Sequence, residues 1–384
     1  MTARRFVVAL LVFAAGVLAA GSAAAFPQWQ FSSGAARCDQ CHFAPAGGGL
    51  LTGYGQDAAG EELATFGGNG AFLHGAVQLP GALGLGGDLR GAFVAEDVQN
   101  PNGTKLAVFP MQAQLNARLS LGDFSAYGSI ADRGQLRPNE DLVPYQNFQP
   151  ISTSWLISPE HWVKWRPSAV GAYARAGRFF APFGMRFAEH TLFVRRDTGF
   201  NLMQETYNVS GGYVTDDLEL HVSLFAPDFV RHMGSNESGV AAYFERRILD
   251  GAGSIAVQAR YGAMPGAGRA IVGAIGKYWV APARTMLIAE GDLLHTEAGA
   301  AGGSDGMVSA AGVSLLPVKG LMGTFLWERK QTDLSAGDTA TNAATGFVSW
   351  FPCAHVEAQL YGQLTFPSGQ PAARTFLAQL HYFL

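Results

Sequence analysis

Gln112-Ala113-Gln114-Leu115-Asn116-Ala117-Arg118-Leu119-Ser120-Leu121 alternates polar and apolar residues without a break. Successive side chains of a β-strand point to opposite faces, so this stretch predicts a strand with one polar and one apolar face. Leu218, Leu220, Val222 and Leu224 alternate in the same way with Glu219, His221 and Ser223. Near the C-terminus, Val356, Ala358, Leu360, Gly362 and Leu364 alternate with His355, Glu357, Gln359 and Tyr361. One such strand would suit a half-buried soluble sheet equally well. The number of repeats and the spacing between them decide the fold.

Strands are expected at 84–95, 106–120, 124–133, 153–166, 170–182, 205–214, 217–226, 238–248, 252–263, 269–279, 283–294, 306–316, 320–331, 342–352, 354–365 and 373–384, an even count of sixteen. The fourth is the weakest, because Pro159 interrupts it. The connectors at 121–123, 167–169, 215–216, 249–251, 280–282, 317–319 and 353 are tight. Those at 96–105, 134–152, 183–204, 227–237, 264–268, 295–305, 332–341 and 366–372 are longer and mostly polar. Short and long connectors alternate, as they do when short turns face the periplasm and long loops face outward. The chain closes on Phe376, Ala378, Leu380, Tyr382 and Leu384 at alternate positions, similar to the C-terminal signal of bacterial outer-membrane proteins. The expected fold is therefore all-β: a transmembrane antiparallel β-barrel of about 16 strands over residues 73–384, set in outer-membrane lipid.

Composition agrees. The chain has 384 residues, enough for one large barrel, with 49 glycines, 48% apolar residues and only 15% charged ones. Arg4 and Arg5, an apolar run from Phe6 to about Ala20, and Ala23-Ala24-Ala25 read as a signal peptide over residues 1–25. A single membrane anchor is the alternative, but the run is short and has no basic stop-transfer flank. Losing Arg4 and Arg5 would take the formal charge from −4 to −6, and no basic patch points to nucleic acid.

Cys38-Asp39-Gln40-Cys41-His42 carries the chemistry. Two thiols at this spacing can add across the vinyl groups of one haem, and the adjacent imidazole can ligate its iron. Cys38, Cys41 and His42 are thus the expected sites for one covalent haem c. A Cys38–Cys41 disulfide and a zinc site are the alternatives; zinc would want two further ligands, and 43–73 contains no Cys or His. The second iron ligand is open. His74 is the first candidate, followed by Met111 and lumen-facing histidines of the barrel, and a five-coordinate iron would permit peroxidase-like chemistry. Cys353, in a short turn, reads as a free thiol.

Phe43 to Gly49 would either let backbone lie close against a flat macrocycle or form a flexible loop. Gln56 to Phe66 reads as one short helix, and Phe66 to Gly70 as a glycine-rich linker. A sixteen-stranded barrel leaves a wide lumen, so residues 26–72 are expected to form a small α/irregular plug or cap in or under the pore. His221, His355 and His381 read as pore-lining residues, and His161, Trp162 and Trp165 as part of an aromatic girdle. Glu237, Glu297, Asp305, Asp333 and Asp338 read as solvated charges of the outward loops.

The order of signal, CxxCH from Cys38 to His42, short glycine-rich segment and porin-like barrel resembles the fused outer-membrane monohaem cytochrome c–porins of iron-oxidising bacteria. The resemblance covers the whole mature chain in layout; its one specific motif is the five-residue haem signature. It implies that Cys38 and Cys41 hold the haem and that His42 is its proximal ligand. It also implies electron transfer from an extracellular donor, ferrous iron in that family, to a periplasmic cytochrome. A passive diffusion porin with a haem-bearing plug and a haem peroxidase on a barrel scaffold are the competing readings.

Overall fold

The computed structural model describes residues 27–97, 105–132, 156–201, 204–229, 236–297 and 302–384; the expected leader, 1–25, lies outside them. The strands are β1 Leu83–Asp97, β2 Lys105–Leu121, β3 Phe124–Asp132, β4 Leu156–Ile157, β5 His161–Trp165, β6 Gly171–Phe179, β7 Thr206–Val214, β8 Leu218–Ala226 and β9 Ser238–Ile248. They continue with β10 Gly253–Met264, β11 Ala267–Val280, β12 Thr285–Glu297, β13 Gly303–Val318, β14 Leu321–Gln331, β15 Ala340–Trp350, β16 Val356–Pro367 and β17 Ala373–Phe383. Neighbours in sequence pair antiparallel, and β1 pairs with both β2 and β17, which closes the sheet. Segments β4 and β5 both lie against β3, so they are two halves of one barrel strand and the barrel has 16 strands.

The break between those halves falls at Ser158-Pro159-Glu160, as the proline predicts. Arg178 fills part of the gap: its Nη1 donates to the carbonyls of Ser158 (2.6 Å) and Pro159 (2.8 Å). A buried guanidinium thus satisfies acceptors that a continuous ladder would have used.

Burial is inverted relative to a soluble sheet. Leu115 and Leu224 are 57% and 63% exposed, while Asn116 and His221 are 3% and 1% exposed. The apolar face of each alternating strand therefore points out to lipid and the polar face into the lumen, so the chain is an outer-membrane β-barrel. Parity corrects one expectation. Val163 and Trp165 face outward, so Trp162 points inward, where it is buried and stacks on Tyr127 at 4.9 Å between ring centroids. Trp162 is not part of a girdle.

The lumen is filled from both ends. Strand β6 stops at Phe179 rather than 182, because the chain then turns inward as a long insert, 180–201. Its helical turn Phe193–Arg196 buries Leu192, Phe193 and Val194 with Phe187 and Met185 against Ile275, Met286, Ile288 and Phe347 of the wall. Wall carboxylates fix the insert's backbone: Glu328 accepts from Phe193 N–H (2.6 Å) and Glu290 from Met185 N–H (3.1 Å). From the other end enters the N-terminal segment.

Candidate functional site

The N-terminal segment is tied to the tight-turn end of the barrel by backbone pairing. Thr65 N–H donates to Phe351 O (2.8 Å), Phe66 N–H to Pro352 O (2.9 Å) and Ala354 N–H to Gly67 O (3.3 Å). Arg37 pairs with Asp216 in the turn between β7 and β8, and Arg166, just beyond β5, pairs with Asp39. Other contacts lie on the inner wall. Arg247 Nε donates to Ala36 O (2.7 Å), Lys277 Nζ to Gln30 Oε1 (3.1 Å) and Lys164 Nζ to Phe43 O (2.5 Å). The segment is a plug seated inside the barrel, as expected. The helix expected over 56–66 begins earlier, at Gly53–Asp57, where Thr52 Oγ1 accepts from Gly55 N–H (3.1 Å), and widens into a π-turn over Ala58–Leu63. It ends before Thr65 because the next residues pair with the barrel turn.

The linker folds back on this helix without room for side chains. A Cβ on Gly70 would lie 1.9 Å from Gln56 O, and one on Gly60 would lie 2.4 Å from Gly68 O. Gly70→Ala should therefore loosen the plug by about 1–3 kcal/mol, read as faster protease cleavage within residues 27–72 of the intact barrel. Cleavage as slow as in the wild type would show that the linker has slack.

Cys38–Cys41 forms a single helical turn, held by Arg37 N–H donating to Gln40 Oε1 (3.0 Å) and His42 N–H to Cys38 O (3.1 Å). His42 then turns extended and bridges to Leu51, with Phe43 N–H on Leu50 O (3.0 Å) and Thr52 N–H on Cys41 O (2.9 Å). The loop between them is ordered by close approach. Gly48 and Gly49 hold φ of +83° and +65°, and Cβ atoms there would crowd Arg186 and the Tyr127 hydroxyl, each at 3.2 Å. These glycines let backbone lie against the barrel's side chains.

Cys38, Cys41 and His42 line one cavity that is partly open to solvent. Trp29, Leu51, Ala59 and Leu63 of the plug give it an apolar floor, and Phe183 and Met185 of the inward insert face it. Arg37 and Arg186 bring positive charge to its edge. His42 is 8% exposed, and its Nδ1 is buried without a hydrogen-bond partner. Burial, with the Arg186 guanidinium nearby, pushes the imidazole down to about 4, so it is neutral at pH 7 and keeps a lone pair for a metal. Burial also raises the Cys38 thiol strongly, helped by the Glu219 carboxylate, and the Cys41 thiol to about 11, with help from Glu62. Both thiols are therefore protonated at neutral pH and are free of a disulfide. Among the described residues no group of three or more His, Cys, Asp or Glu could hold a metal ion by itself, so zinc lacks a ligand set. The donors present fit a haem c: two thiols, a neutral histidine and a mostly apolar cavity lining.

The lowered His42 value has a consequence for the haem-free protein. A histidine at about 4 when folded and ~6.5 when unfolded binds more protons in the unfolded state between those values. Stability from its neutral burial is complete above pH ~6.5 and is lost as pH falls towards 4, by about 3 kcal/mol in all. Plug docking in haem-free protein, followed by protease protection, should weaken over that window, and protection unchanged down to pH 4 would contradict the placement of His42.

His74 is not brought to the cavity. The glycine linker carries the chain out to the barrel rim, where His74, at φ 57°, packs edge-to-face on His355 (ring centroids 4.3 Å apart) and lies 3.1 Å from the Tyr382 hydroxyl. Met111 lies elsewhere in the lumen, in a smaller pocket beside Arg90 and Glu189. His221 and His381 are buried and line the cavity, as expected, whereas His355 is buried in the turn before β16, where it bonds Phe383 O and Asn69 O. Glu237 is not a solvated loop charge: it is buried and paired with Arg260 (2.6 Å) and Arg269 (3.1 Å). Asp305 does lie in the open, paired with His295 at 2.7 Å.

No family model and no curated protein matches this chain. Its fold is similar to solved outer-membrane porins and channels. Pseudomonas putida OprB aligns with a TM-score of 0.60 at 10% identity, covering 79% of this chain and 94% of its own. OmpT of Vibrio cholerae aligns at 0.58 and 8% identity, covering 80% and 100%. The outer-membrane channel DcaP of Acinetobacter baumannii aligns at 0.54 and 11%, covering 79% and 97%. At such identities the likeness concerns the fold: a sixteen-stranded barrel of the outer-membrane porin type.

Proposed function

We propose that the chain is an outer-membrane electron conduit of the fused cytochrome c–porin kind, passing electrons through one covalent haem c between an extracellular donor and a periplasmic carrier. The observation that carries this reading is the convergence of Cys38, Cys41 and His42 on one cavity inside a membrane-spanning barrel. Bound there, a haem would supply a reversible one-electron couple at membrane depth. Cys38 and Cys41 would anchor it by thioethers, each S–H adding across a vinyl double bond, and His42 would ligate its iron. Arg186 and Arg37 stand where acidic substituents of a macrocycle could be paired. The plug and the insert would close the lumen to solutes. By the loop-length rule the tight-turn end, where the plug sits, faces the periplasm.

Ferrous iron is the first donor to test. Haem-loaded protein in liposomes with trapped ferricyanide should reduce it when ferrous citrate is added outside, and His42→Ala should abolish the transfer. Vesicles that pass ions but no electrons would instead favour a passive porin.

A further inference from the structure

We infer that Met185, carried by the barrel's inward insert, supplies the second axial ligand to the haem iron, so that plug and barrel each contribute one ligand. The inference rests on the haem reading above.

The argument is one of placement and availability. Met185 is 3% exposed and lines the same cavity as Cys38, Cys41 and His42. Its position is fixed from the wall: Gly184 N–H donates to Gln258 Oε1 (2.6 Å) and Met185 N–H to Glu290 Oε2 (3.1 Å). The next residue reaches the haem-motif loop, where Arg186 Nη1 donates to Gly47 O (2.7 Å). Met185 is thus held on the part of the insert that meets the plug a few residues past His42.

The other donors lining the cavity are engaged. His221 has Nδ1 at 2.8 Å from the Tyr173 hydroxyl and Nε2 at 3.4 Å from Glu219. His381 lies between two carboxylates, with Nδ1 hydrogen-bonded to Glu357 at 2.9 Å and Nε2 in charge contact with Asp88 at 3.0 Å, outside hydrogen-bond alignment. Lys277 Nζ serves Gln30 (3.1 Å) and Glu245 (2.9 Å). Ligation by any of these would break a buried polar network and leave its former partners without their contacts. A thioether has almost no hydrogen-bonding to surrender, and its flexible side chain can adapt to the iron. Methionine opposite histidine also raises a haem's reduction potential, which suits an acceptor for a weakly reducing donor.

The test uses full-length protein extracted with covalent haem. The ferric wild type should be six-coordinate and low-spin, with the far-red charge-transfer absorption of a thioether–iron bond. Met185→Leu, which keeps the packing volume, should lose that absorption, become high-spin and bind cyanide readily. Met185→His should restore low spin without the sulfur signature, and either variant should retain haem staining and the wild-type reduction potential should exceed both. Unchanged absorption in Met185→Leu overturns the assignment while leaving the haem reading intact. A wild type already high-spin and open to cyanide or peroxide also overturns it and favours a peroxidase. Absence of covalent haem in the wild type overturns both.

Discussion

Arg247→Ala is expected to unseat the plug at a cost of about 3–5 kcal/mol, the range for leaving a buried charge without its partner. Arg247 sits on the inner wall in β9 and joins three things at once. Its Nη1 pairs with Glu245, its Nη2 lies 3.2 Å from Glu219, and its Nε and Nη2 both donate to Ala36 O, two residues before Cys38. Removing it leaves two wall carboxylates with less compensation and frees a backbone carbonyl of the plug. Lys277 still holds Glu245 at 2.8 Å, so the barrel itself should survive. The expected readout is rapid proteolysis within residues 27–72 with normal heat-modifiable migration of the barrel. Wild-type protection of the plug would show that Arg247 is dispensable and that the backbone pairing at the barrel turn and the remaining polar contacts carry its docking.

The second large effect is functional. Deleting residues 27–72 behind an intact leader should leave an inserted barrel that transfers no electrons and has higher single-channel conductance than the full chain. A sixteen-stranded barrel has a lumen wide enough for water unless something fills it. Here two inserts fill it, and only one depends on the plug. The insert over 180–201 is fastened by its own buried cluster and by Glu328, Glu290 and Tyr361, the last accepting from the Thr191 hydroxyl at 2.8 Å. Conductance should therefore rise without reaching that of an empty barrel. Redox transfer that survived the deletion would exclude the plug as the carrier.

The strands were legible because lipid imposes a repeat. Every outward position must be apolar, so residues such as Leu115, Leu119, Leu220 and Leu360 recur at period two regardless of their neighbours. The inward positions were less readable, because what they meet is set by distant chain. Phe180 reads as the tail of β6, yet together with Phe183 it belongs to an insert that turns into the lumen. Met185 and Arg186 sit in a loop with no periodicity and acquire meaning only from the wall and plug they touch. Trp162 was readable after all: with Val163 and Trp165 outward, strand parity sends it inward. The CxxCH motif was visible in the sequence alone, since five adjacent residues carry it. The cavity that Cys38, Cys41 and His42 share with the insert was not, because it joins residues more than 140 positions apart.

The central claim is that this barrel holds a covalent haem at Cys38 and Cys41. It is tested most directly by a haem-stained gel and pyridine-haemochrome spectrum of detergent-extracted outer membrane, comparing wild type with Cys38→Ala/Cys41→Ala in a host that attaches c-type haem. The account predicts one covalent c-type haem in the wild type and none in the double variant, with equal amounts of folded barrel. Folded wild-type barrel without covalent haem would contradict it.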